Sequence, residues 1–107
     1  METHDKTLDK LQSLETLYRQ GYRSAVIDRS LDKIVALERA AARRELASLQ
    51  ERLQAFETRY QRSSADFYQR FRAGELGDAI DMVEWSVFYE MWESVRARLE
   101  QLGTDVT

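Results

Sequence analysis

The sequence predicts an all-α fold. A long central helix packs antiparallel on a C-terminal helix, a short aromatic helix lies at the turn between them, and an N-terminal helix comes first. Three observations predict this. The 107 residues include no proline and only four glycines, so the turn residues that a β-sandwich or barrel needs are missing. Apolar residues recur at three- and four-residue spacings along most of the chain. The hydrophobic share is 43%, enough for a core and too much for a wholly disordered chain.

The chain reads as one helical domain, residues 1–107, in four parts: an N-terminal arm (1–23), a long helix (24–62), a short helix (63–74) and a C-terminal helix (78–103). In the arm, Leu8, Leu11, Leu14, Leu17 and Tyr18 form a narrow apolar stripe from about Asp5 to Gln20. Gly21 is expected to end it, and Ser24 to cap the next helix. The long helix is expected over Ala25 to Gln61, on the order of 50 Å at 1.5 Å per residue. From Val35 its apolar residues Ala42, Leu46, Leu49, Leu53, Phe56 and Tyr60 alternate spacings of four and three, a heptad seam suited to an oligomer or to the C-terminal helix. Upstream, Ile27, Leu31 and Ile34 start a similar stripe that Glu38 and Arg39 interrupt, so a bend or phase shift is expected near Glu38 to Ala41.

Ser63 with Asp66 approximates a capping box at the start of the short helix, which carries Phe67, Tyr68 and Phe71 and should close at Gly74. Asp78 is the expected N-cap of the last helix, with Asp81 at its third position and Gly103 as its stop; residues 104–107 are expected to fray. On this helix Ile80, Val83, Val87, Phe88, Met91, Val95, Leu99 and Leu102 form one stripe, and Met82, Trp85, Tyr89 and Trp92 a second beside it. Together they exceed the arc of about 100° that a simple hairpin can bury. The excess implies core or homodimer packing, or a docking surface for another protein, since Trp, Tyr and Met are enriched at interface hot spots.

Charge is unevenly spread. Residues 63–107 carry nine acids and four bases, and between Gly74 and Glu93 there are six acids (Glu75, Asp78, Asp81, Glu84, Glu90, Glu93) and no base. An acidic, aromatic stretch suits a basic partner, or serves as a solvated face. Glu84 falls within the apolar stripe; buried there it would need a cation, and otherwise that part of the helix faces water. Arg29, Lys33, Arg43 and Arg44 form a basic stripe on the long helix that could track phosphates. The sequence pI of about 5.2 argues against a dedicated nucleic-acid binder.

Catalysis is not expected. Cysteine is absent and His4 is the single histidine, which leaves no thiol chemistry, no Cys-based metal site and little room for a His-based triad. No P-loop, dinucleotide-binding or nucleophile-elbow motif occurs. No cofactor or metal is expected. No charge-free run exceeds five residues and the N-terminus lacks a signal-peptide core, so a cytoplasmic protein without a membrane span is expected.

The stretch SSADFYQRFRAGELGDAIDMVEWSVFYEMWESVRARLEQL, residues 63–102, resembles a group of small prokaryotic helical proteins. Its members combine a long central helix, a short Phe-Tyr segment, a Gly-Glu-Leu-Gly-Asp turn and an aromatic, acidic final helix. GYRSAVIDRSLDKIVALE, residues 21–38, is similar to the same group. These proteins resemble antitoxin components of toxin–antitoxin pairs. The resemblance implies a chain that neutralises a partner, with recognition on the turn Glu75-Leu76-Gly77-Asp78 and on the strip Trp85, Tyr89, Trp92. The expected partner is a second protein, a basic, ribonuclease-like toxin, bound through Glu75, Asp78, Asp81, Met82, Glu84, Trp85, Tyr89 and Trp92. A homo-oligomeric coiled coil, joined along Val35, Ala42, Leu46, Leu49, Leu53, Phe56 and Tyr60, and a nucleic-acid-binding accessory protein are the alternatives.

Overall fold

A computed structural model describes residues 2–103, with side chains from Asp5 onward. The His4 side chain and the fraying expected at 104–107 lie outside the described residues. Four helices follow in order: α1 (Glu2–Arg19), α2 (Ala25–Tyr60), α3 (Ser64–Arg72) and α4 (Ile80–Leu102). No strand occurs among the described residues, and no helix there is long and apolar enough to cross a membrane. Contacts gather into two compact units, up to Val35 and from Ala36 onward, where the sequence reading has one domain. α2 is helical through the expected bend at 38–41. The break there is one of burial, with Leu31, Ile34 and Leu37 exposed and Ala42 fully buried.

The N-terminal unit is a hairpin of α1 and the first turns of α2. Gly21 takes φ +99° after α1, and the Ser24 hydroxyl accepts the Ile27 N–H at 3.3 Å, the N-cap expected of it. Tyr18 ties the corner, its hydroxyl donating to Asp28 at 2.6 Å and accepting the Ser24 N–H at 3.1 Å.

In the C-terminal unit α2 and α4 run antiparallel. Arg39 Nε donates to the Leu102 carbonyl at 2.9 Å at one end, and Tyr60 donates to Asp81 at the other. The heptad seam lies between them. Ala42, Leu46 and Leu49 meet Val95, Phe88, Trp92 and Leu99, and Leu53, Phe56 and Tyr60 meet Trp85 and the α3 aromatics. The candidate oligomer seam is therefore occupied by the chain's own helices from Ala42 to Tyr60. At its upstream end Val35 is half-buried and belongs to the other unit.

Helix ends follow local chemistry, with two exceptions. The Ser63 hydroxyl accepts the Asp66 N–H at 3.1 Å, while the Asp66 carboxylate pairs with Arg70 and Arg62. At Gly103 φ is +81°, and an added Cβ would meet Arg39 Nη2 at 3.1 Å, so both backbone and space favour glycine. The first exception is the end of α2, where Gln61 takes the left-handed φ of 53° without being glycine. The second is the start of α4. Its N-cap is Ala79, with no side-chain cap, so Asp78 is not the N-cap and Asp81 occupies the second helical position. Tertiary contacts override the local cap here, because Tyr60 and Arg59 both hold Asp81.

Candidate interaction surfaces

The strip Met82, Trp85, Tyr89, Trp92 is not a free surface. Trp85 is 1% exposed, at the junction of α2, α3 and α4. Its indole stacks on Phe67 at 3.9 Å between centroids and 4° between planes, and on Phe56 at 5.4 Å and 10°. Its Nε1 donates to Ser64 Oγ at 2.9 Å, and the Ser64 N–H donates to Glu57 at 2.9 Å. One buried serine thus joins all three helices. Met82, Tyr89 and Trp92 are half-buried and pack on the same cluster. Tyr89 and Trp92 line a cleft of about 190 Å³ with Gln50, Glu57 and Ser63, and the buried Trp92 Nε1 has no hydrogen-bond partner among the described residues. Three helices meeting at one place leave a hollow that only large aromatic side chains fill, so this strip takes the interior.

Most of the acidic stretch is also engaged. Glu75 lies 3.6 Å from Arg70. Asp81 pairs with Arg59 at 3.1 Å. Glu90 accepts from the Tyr68 hydroxyl at 2.6 Å. Glu93 accepts from Tyr89 and from Arg96, and the Arg96 bond holds its carboxyl below the usual range. Asp78 and Glu84 are exposed, with no partner among the described residues. Glu84 therefore meets the expectation that this part of the helix is open to water.

Carboxylate hydrogen bonds and burial raise the pKa of four phenols. Hydrogen bonds to Asp28, Asp81 and Glu90 push Tyr18, Tyr60 and Tyr68 above the ordinary value of 10.0, and burial, then the bond to Glu93, does so for Tyr89. A phenol whose folded pKa is raised adds stability that is fully present below its unfolded pKa and lost as pH rises through the folded value. The chain should therefore weaken above about pH 10. Absorbance titration of the tyrosines, native against denatured, checks this, and coincident curves would refute it.

The apolar excess of α4 lies elsewhere than the sequence suggests. The first of its two stripes divides. Phe88, Val95 and Leu99 turn inward, whereas Ile80 is 78% exposed and Val83, Val87 and Met91 are 42–46% exposed. In the N-terminal unit no described side chain is buried. There Leu11, Leu14, Glu15, Tyr18, Ile27 and Leu31 line a cleft of about 210 Å³, and Leu8, Leu11, Leu17, Tyr22, Val26, Leu31 and Ile34 are 38–74% exposed. The sequence reading placed both stripes, but it named the strip Met82, Trp85, Tyr89, Trp92 as the candidate docking surface.

The basic residues are exposed: Arg29 and Lys33 in the N-terminal unit, Arg43 and Arg44 in the C-terminal one. Among the described residues no cluster of His, Cys, Asp and Glu could hold a metal. No family model, curated protein or solved structure matches the chain.

Proposed function

We propose that this chain acts by binding a second protein through its N-terminal unit, and that the partner is a toxin which it neutralises. The resemblance of residues 63–102 to antitoxin components supports the class of partner. One observation carries the reading of the surface: the hairpin of residues up to Val35 buries no described side chain and leaves seven large apolar residues 38–74% exposed. Segments shorter than about 40 residues rarely hold a fold without outside support. A partner helix or loop seated on the Leu11–Leu31 cleft supplies the missing core. Residues 1–35 carry six acids and six bases, so apolar fit selects the partner here, rather than the electrostatic attraction that the acidic C-terminal stretch suggests.

Co-expression with the product of the neighbouring gene tests the proposal. The two should co-purify, and the chain should rescue growth. Leu11→Asp with Leu31→Asp should abolish both effects while far-UV circular dichroism still reports the helices. Retained capture or rescue in that variant refutes the proposed surface, and the absence of any complex refutes the function.

A further inference from the structure

We propose that the outer face of α4 docks a helix of another protein, one whose apolar stripe is bordered on both sides by lysine or arginine. This surface is separate from the hairpin, and the inference does not rest on the toxin reading.

The face is apolar, uncovered and short. Ile80, Val83, Val87 and Met91 follow one another at spacings of three and four residues, each between 42% and 78% exposed. At about 100° per residue they fill an arc of roughly 80°, and from Ile80 to Met91 they run about 16 Å along the axis. Such spacing matches the seam of a helix pair, so the shape that fits it is a second helix. Beyond Met91 the same side of α4 carries Ser94, Arg98 and Gln101, all exposed, and the apolar seam ends there.

The edges of the stripe set the charge of the occupant. On the helical wheel Glu84 lies just outside Met91 and Glu90 just outside Val83, each roughly 20° beyond the arc. Glu84 is exposed and has no partner among the described residues. Glu90 is exposed and accepts from the Tyr68 hydroxyl at 2.6 Å, a neutral donor that leaves the carboxylate charge in place. A second copy of this chain does not satisfy these edges. Between Gly74 and Glu93 there is no base, so a copy laid stripe on stripe, in either direction, sets acids against acids, which is destabilising. A register that brings Arg98 to Glu84 sets Ile80, Val83 and Val87 against Ser94 and Gln101 instead, and the apolar seam is lost. A foreign helix with bases along both edges covers the stripe and pairs Glu84 and Glu90 at the same time.

Two synthetic peptides of about 20 residues, long enough to be helical in water, test this by fluorescence anisotropy against the full chain. Both carry the same leucine stripe at spacings of three and four; one borders it with lysine, the other with glutamate. At low ionic strength the lysine peptide should bind at least about tenfold more tightly. Val87→Asp should weaken that binding by at least about tenfold. It adds an acid, which simple charge attraction would favour and an apolar seam does not tolerate. Glu84→Lys with Glu90→Lys should reverse the preference to the glutamate peptide. Leu11→Asp with Leu31→Asp, in the N-terminal unit, should leave it unchanged. All these positions are exposed, and circular dichroism confirms the fold of each variant. The proposal is overturned by a lysine peptide that binds no better than the glutamate one, or by Val87→Asp that leaves its binding intact. It is equally overturned by a double lysine variant that keeps the original preference, by loss of binding in the hairpin variant, or by a chain that sediments as a dimer which Val87→Asp dissociates.

Discussion

Replacing Trp85 with alanine is expected to destabilise the C-terminal unit by about 3–5 kcal/mol, the range for deleting a large buried aromatic. The physical cause is threefold. The indole is fully enclosed, its faces lie against Phe67 and Phe56, and its Nε1 satisfies the buried Ser64 hydroxyl. At roughly 0.05–0.15 kcal/mol per residue, a unit of this size has about 4–11 kcal/mol in total. The variant should therefore lose a large share of the unit's stability, and its denaturant midpoint should fall steeply, which titration followed by circular dichroism will read. A cost below about 1 kcal/mol would contradict the interior position. This also changes how binding can be tested. The sequence suggests Trp85→Ala with Trp92→Ala as a probe of docking, but loss of binding in that variant would report loss of the fold.

The second large effect is expected at Phe67, which is completely buried in α3 and stacks nearly face to face on Trp85. Phe67→Ala should also cost about 3–5 kcal/mol. Phe67→Leu keeps most of the apolar volume and should lose chiefly the aromatic contribution, about 0.5–1.5 kcal/mol. Denaturant midpoints of the two variants provide the comparison. Equal costs would mean that cavity size plays no part, and a negligible cost for both would detach α3 from the core. α3 is only nine residues long, too short to be stable alone in water, so its helicity depends on this contact.

The helices were legible wherever local chemistry sets their limits. Ser24, Ser63, Gly21 and Gly103 mark ends that a reader can place from residue type alone. The seam from Ala42 to Tyr60 was legible because its spacing is that of a helix-packing face, and the sequence leaves open whether another chain or α4 covers it. The faces of α4 were not legible. It carries two apolar stripes, and which one turns inward is decided by where α3 docks, a contact between residues about 20 positions apart in sequence. Phe67 and Ser64 draw Trp85 inside, and Ile80, Val83, Val87 and Met91 are turned outward as a result. The start of α4 was misplaced for a similar reason. Asp78 has the right side chain for a cap, but Asp81 is held by Tyr60 and Arg59 on a different helix. The acidic stretch was visible as charge, and only the fold reveals that most of its carboxylates already have partners.

The hairpin up to Val35 has a consequence for how the chain comes apart. With no described side chain buried in that unit, its amides open at a lower free energy than those between α2 and α4. Hydrogen exchange should be faster in α1 than at Leu49, Leu53 or Val95. Melting should be broader than a single cooperative step, with a calorimetric enthalpy above the van't Hoff value. A ligand that seats on the hairpin would close that gap, so the width of the transition, and not only its midpoint, should report binding.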